Sequence, residues 1–228
     1  MGRKAYGSIG HLPNSRMGPA DHHCEAGMAR IVTEKVRDKN DRIIVQEKLD
    51  GSCVAVAMCG GRLIPLGRAG YPAESSPYEQ HVLFAAWARE NAARFERVLL
   101  EGERIVGEWL AQAHGTRYAL WHDPFVPFDI MRDDKRMPFD EFNRRVSRYF
   151  RTPFTVSTHA PLPVAMAMEI VSAANFHNAM DPIEGVVYRC ERNGEVDFLA
   201  KYVRPDKVDG YLLPDVSGEP AVWNWRLA

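Results

Sequence analysis

The sequence predicts an α+β domain in which antiparallel hairpins build the sheets and helices pack outside them. Two observations carry this. Gly60-Gly61 and Asn193-Gly194 are two-residue turns between strand-like runs, and turns of that length join antiparallel neighbours. The apolar segments also do not alternate strand, helix, strand, as a doubly wound parallel sheet requires.

Residues 1–41 carry Gly, Pro, His and Asn throughout and read as an ordered N-terminal cap segment. Arg42-Ile43-Ile44-Val45-Gln46 is β-branched and bounded by charge, which predicts a strand at 43–47, and Asp50-Gly51 is a turn signal after it. Strands at 53–58 and 62–66 follow, on either side of the Gly60-Gly61 turn. Ser76-Pro77 opens a helix at 78–97, where Val82, Leu83, Ala86 and Trp87 recur at three- and four-residue spacing. A strand pair is expected at 104–110 and 125–130, then helices at 138–150 and 163–174, with Pro138 tolerated in a first turn. Strands at 183–189 and 195–203 close the pattern, and a short mixed tail begins at Pro205.

The 228 residues suit one domain spanning 1–228, and 46% hydrophobic content supplies a core. No run approaches the ~18 apolar residues of a membrane span. Met1-Gly2-Arg3-Lys4 leads into no apolar signal core, so a cytoplasmic protein without a membrane partner is expected. Cys24, Cys53, Cys59 and Cys190 form no CxxC pair and are expected to be reduced. Asp21-His22-His23-Cys24 lacks the second cluster that a zinc site needs. A net charge of −1 excludes a general nucleic-acid coating protein, but not an enzyme with a basic cleft.

Chemistry concentrates in a few strand positions. Lys48 ends the first strand just before the Asp50-Gly51 turn. Glu108, Asp129 and Glu184 are acids inside apolar runs, and Lys201 is a base in another. Singly, each could be the outward residue of an alternating strand. A buried carboxylate needs a cation or hydrogen-bond donors, and these acids together with two lysines could hold divalent metal and phosphate.

In order, these segments resemble the covalent nucleotidyltransferases. Glu47-Lys48-Leu49-Asp50-Gly51-Ser52 resembles their K-x-[D/H]-G motif, and Leu66-Gly67-Arg68-Ala69-Gly70 their motif Ia. Gly107-Glu108-Trp109 is similar to motif III, and Phe125-Val126-Pro127-Phe128-Asp129-Ile130 to motif IIIa. Glu184-Gly185-Val186-Val187 is similar to motif IV and Ala200-Lys201-Tyr202-Val203-Arg204 to motif V. Within that superfamily the likeness is to ATP-dependent RNA ligases, carried by Gly107 to His114 and by the lead-in Gly7-Ser8-Ile9-Gly10-His11-Leu12-Pro13. Two positions depart from the family pattern: Cys53 stands where RNA ligases usually carry Asn, and Val203 where a second motif V lysine is common. Arg204 or Lys207 could supply that charge.

The resemblance implies an ATP-grasp-like nucleotidyltransferase domain of twisted antiparallel sheets flanked by helices. The roughly 24 residues after motif V are too few for an OB-fold, so an accessory protein could supply nucleic-acid-binding surface. It implies that Lys48 attacks the α-phosphorus of ATP, that AMP passes to a 5′-phosphate RNA end, and that a 3′-OH then seals the strand. Lys48, Lys201 and Glu184 become the catalytic residues. Glu47, Lys48, Arg68, Glu108, Phe128, Glu184 and Lys201 become the ATP-binding set, with Mg²⁺ or Mn²⁺ on Glu184 and Glu108. Glu47 would read the adenine edge and Phe128 would stack on the ring, since Val106 occupies the usual stacking position. Lys201 and the metal would lower the Lys48 pKa by like-charge repulsion. Asp50 would fix the turn, and Asp129 would act behind the site. Arg144, Arg145, Arg148 and Arg151 form a basic helical face suited to RNA phosphates or simply to water. A minimal DNA ligase, or a degenerate module that binds adenylate or RNA ends, is the alternative.

Overall fold

Alternation of apolar and polar residues along the strands splits the molecule into two sheets. Among residues 4–226, which the computed structural model describes, there are ten strands in two five-stranded sheets. The first is ordered β1 (Gly10–His11), β10 (Glu195–Val203), β9 (Gly185–Arg192), β2 (Asp41–Lys48), β8 (Thr155–Ser157). All its pairings are antiparallel except β1 with β10. The second is ordered β4 (Arg62–Gly67), β3 (Ser52–Cys59), β5 (Glu103–Trp109), β6 (Phe125–Arg132), β7 (Lys135–Arg136), antiparallel throughout. Neither sheet closes into a barrel.

Helices cover the outer faces. Ile43, Val45, Val186 and Tyr188 of the first sheet pack against Ala29 and Val32 of α1 (Ala26–Thr33) and Ala167 and Val171 of α5 (Val164–Ala174). Outside the second sheet lie α2 (Glu79–Glu90), α3 (Ala92–Val98) and α4 (Phe139–Val146). Their core with the sheet is aromatic: Phe84, Trp87, Phe95, Trp109, Phe125 and Phe150. Phe84 and Trp109 meet edge to face with centroids 5.3 Å apart, a preferred geometry for ring pairs. A short α6 (Pro214–Ser217) lies in the tail. No helix of the described residues is long and apolar enough to cross a membrane.

The N-terminal segment covers part of the inner face of the second sheet, with Tyr6 in one apolar cluster with Ala55, Ala57, Leu66, Val106 and Met131. A buried ion pair joins the two sheets, Arg189 of β9 to Asp129 of β6 at 3.1 Å. Elsewhere a cavity of about 390 Å³ separates the sheets.

The α+β architecture matches the expectation, and so do the hairpins. Differences have local causes. The helix expected at 78–97 breaks at Asn91, whose side-chain amide donates to the Trp87 carbonyl and caps α2 before α3 begins. The helix expected at 138–150 ends at Val146 and continues only as turns. The cap is more regular than predicted, since it contains β1 and α1. The strand expected from 183 begins at Gly185, leaving Glu184 just ahead of it.

Candidate active site

Strand register decides what faces the cavity. Lys48 of β2 lies opposite Gly185, and Gln46 opposite Val187, which in turn lies opposite Lys201 of β10. Gln46, Lys48, Val187, Arg189, Leu199 and Lys201 therefore form one wall. Cys53, Arg68, Glu108 and Phe128 of the second sheet and its turns form the other. Two glycines beside the site allow close approach within each sheet. A Cβ on Gly51 would come 2.5 Å from the Trp109 carbonyl oxygen, and one on Gly185 would come 1.9 Å from that of Tyr202.

Lys48 Nζ lies 2.5 Å from Glu184 Oε2. Burial opposes charge on this amine, but Glu184, Glu108 and Asp50 outweigh it and hold the ammonium above the ordinary lysine range. The expectation that Lys201 depresses Lys48 is thus corrected for the chain by itself: three nearby acids win over one cation. The depressed lysine is Lys201, lowered first by burial and then by the charge of Lys48, against its 3.4 Å contact with Asp21.

Glu108 accepts the Gly51 N–H at 3.1 Å, and burial pushes its carboxyl up to about 7. Burial likewise raises Glu184, against the pull of Lys48 and Lys207. Asp50 accepts the Gly115 N–H at 2.9 Å and forms an ion pair with the Lys207 ammonium at 2.5 Å, while its own N–H donates to the Tyr118 hydroxyl. Its contacts hold the turn together. Cys53 sits opposite Glu108, and burial keeps its thiol neutral. Arg68 follows β4, exposed at the cavity rim and without a carboxylate partner among the described residues.

Phe128 is the extra residue of a bulge in β6: Val106 pairs with Asp129 and Gly107 with Pro127. The bulge leaves Phe128 lining the cavity, edge to face with Tyr6 at 5.2 Å, while Val106 is buried in the core. Asp129 is fully buried between Arg189, Arg136 and the Tyr6 hydroxyl, behind the cavity wall. Glu47 borders the cavity, but its carboxylate shares the strand parity of Ile43 and Val45 and lies 3.8 Å from His177.

Residues 41–203 match the family model for RNA ligase. The chain belongs to the RNA ligase family. No curated protein matches the sequence. Similar solved structures include an archaeal ATP-dependent RNA ligase, at 21% identity over 72% of this chain and 42% of that one, TM-score 0.50. A Naegleria gruberi RNA ligase mutant with ATP and Mn is similar at 14% identity, over 85% of this chain and 59% of that one, TM-score 0.56. A putative ATP-dependent DNA ligase from Aquifex aeolicus is similar at 16% identity, over 87% and 49%, TM-score 0.51. The RNA ligase-family chain spans about two fifths to three fifths of the length of these structures, which share its nucleotidyltransferase fold.

In this RNA ligase-family chain Lys48, Arg68, Glu108, Phe128 and Lys201 line one cavity, and several other residues lie at or beside it. Lys207 is buried with Nζ 3.4 Å from Glu184 Oε1, on the far side of that carboxylate from Lys48; Arg204 instead pairs with Asp206. His81 reaches the cavity between Ser52 Oγ and Ser76 Oγ, each at 2.7 Å. His114 lines the cavity as well, and burial lowers it to about 4. No periodicity marks these histidines, because they enter from a helix and a loop outside the strands. Among the described residues Asp21 and its neighbours make no metal cluster; Asp21 pairs with His11 and Lys201.

Proposed function

We propose that this protein is an ATP-dependent RNA ligase of the cytoplasm, a single adenylyltransferase domain that joins a 5′-phosphate RNA end to a 3′-OH. The observation that carries the reading is the Lys48–Glu184 pair in a cleft shared with Lys201, Arg68 and Glu108. Lys48 is the nucleophile: its ammonium first gives a proton to water, and the freed lone pair attacks the α-phosphorus of ATP as the bond to pyrophosphate breaks, leaving AMP on the lysine. AMP then passes to the RNA 5′-phosphate, and the 3′-OH displaces it.

The residues divide the work. Lys201 and the guanidinium of Arg68 offset phosphate charge as the transition state forms. Phe128 offers an aromatic surface for the base, and the backbone at Glu47 an edge to recognise it. Asp50 keeps the loop after Lys48 in place, and Lys207, 3.4 Å from Glu184, favours the charged form of that carboxyl against its burial. No group of three or more His, Cys, Asp or Glu side chains is set around one point among the described residues. Glu184 and Glu108 nevertheless suit Mg²⁺ or Mn²⁺, hard cations held through one or two carboxylates with substrate phosphates and water completing the shell. Held there, a cation would supply charge neutralisation for the phosphates.

The test is incubation with α-labelled ATP and Mg²⁺ or Mn²⁺. A labelled protein band that disappears in Lys48→Ala is expected; absence of a band, or its survival in that variant, contradicts the reading. Nicked RNA, nicked DNA and a panel of 5′-phosphorylated ends then separate RNA sealing from DNA sealing and from adenylylation alone. An accessory protein that supplies further RNA-binding surface would raise sealing without changing the labelled band.

A further inference from the structure

Most arginines of this chain that lie near carboxylates are held by them: Arg37 by Asp41, Arg42 by Asp140, Arg94 by Asp123, Arg117 by Asp181. Three at one edge are not. Arg144 on α4 (whose charge also acts on Asp140), Arg148 in the turn after it and Arg151 in the loop beyond are exposed and make no ion pair or hydrogen bond at contact distance among the described residues. Arg145 between them is turned inward, 2.6 Å from Glu103. Leaving guanidinium groups unpaired in a chain of net charge −1 creates a local positive surface with donors free for phosphate.

The same edge holds an aromatic platform. Trp121 is 52% exposed, yet its indole N–H donates to the Phe176 carbonyl at 2.9 Å, which fixes the ring. The Arg151 guanidinium lies over it, 4.7 Å from the ring centroid. Beside the pair is a cavity of about 180 Å³ whose lining includes Phe150, Arg151, Pro153, Phe154 and Phe176. Pro153 also lines the large cavity that holds Lys48, so the two spaces adjoin.

We propose that this edge is the track along which a single-stranded RNA end reaches the cleft, its phosphates on Arg144, Arg148 and Arg151 and one base against Trp121. The proposal rests on the ligase reading. Cations interleaved with a fixed, half-exposed ring match a single strand, which offers both charge and a stacking face. An acidic peptide would use the charge alone.

Binding of a 5′-phosphorylated single-stranded RNA is measured by fluorescence anisotropy across a salt series. In the combined variant Arg144→Gln, Arg148→Gln, Arg151→Gln, the log–log salt slope should fall by about 2, at roughly 0.7 per lost phosphate contact. Trp121→Ala should weaken binding roughly 5- to 150-fold, the range of one lost base stack. Thermal melts report that the variants fold, and lysyl-AMP formation should equal that of the parent chain. Unchanged RNA affinity and salt slope in the combined variant overturn the proposal. So does a polyglutamate peptide that displaces the RNA at equal charge concentration. If the parent chain forms no lysyl-AMP, the ligase reading fails, while loss of RNA binding in the combined variant still upholds the surface.

Discussion

Lys48 and Glu47 are adjacent in sequence and face opposite sides of β2, so their environments diverge. Lys48 meets acids in the cleft and keeps its proton. Glu47 meets an apolar core and His177, and burial pushes its carboxyl up to about 8. Burial first, and then the charges of His122 and Arg151, push fully buried His177 down to about 3. The two shifts act on stability in opposite directions. As pH falls through about 6.5 the unfolded imidazole takes a proton that the folded one refuses, so the His177 contribution is whole above that value and is lost toward pH 3. The Glu47 contribution is whole below about pH 4.3 and is lost as pH rises toward 8, because the unfolded carboxyl ionises first. Thermal melts from pH 4 to 9 should show a flatter acid limb in His177→Gln and a flatter alkaline limb in Glu47→Gln. Limbs parallel to those of the parent chain would refute both assignments.

At the scale of elements, hydrophobic patterning located the strands because period-two alternation survives in the sequence wherever one face is buried. It could not locate the break at Asn91, which depends on one side-chain hydrogen bond to Trp87. Nor could it place the bulge that leaves Phe128 lining the cavity, since a bulge exists only relative to the partner strand. The ion pair of Arg189 with Asp129 is a contact of this kind: it joins β9 to β6, elements of different sheets, with side chains 4% and 0% exposed. Arg189→Ala leaves Asp129 buried with less compensation and should cost about 3–5 kcal/mol in denaturant melts. Arg189→Met with Asp129→Asn should recover part of that loss. A single-variant cost below about 1 kcal/mol would mean that the pair does not hold the sheets together.

At the scale of the molecule, the cleft exists only because two sheets face each other, so a ligand that touches both should hold them together. ATP with Mn²⁺ at about 100 times its dissociation constant should add about 2.7 kcal/mol. For a chain of this size that raises the melting temperature by roughly 5–10 °C. No shift would count against nucleotide binding in this cleft. The sequence alone determined the strand-and-hairpin architecture and marked out charged residues that line the cleft, because both leave local signals: alternation, turn dipeptides, and charged residues inside apolar runs. The tertiary structure alone decided which charges act on one another. Lys207 joins Glu184 from a loop, His81 and His114 enter from outside the strands, and three acids rather than Lys201 set the charge of Lys48. Electrostatic interaction depends on distance and burial in space, and neither is written in the spacing of residues along the chain.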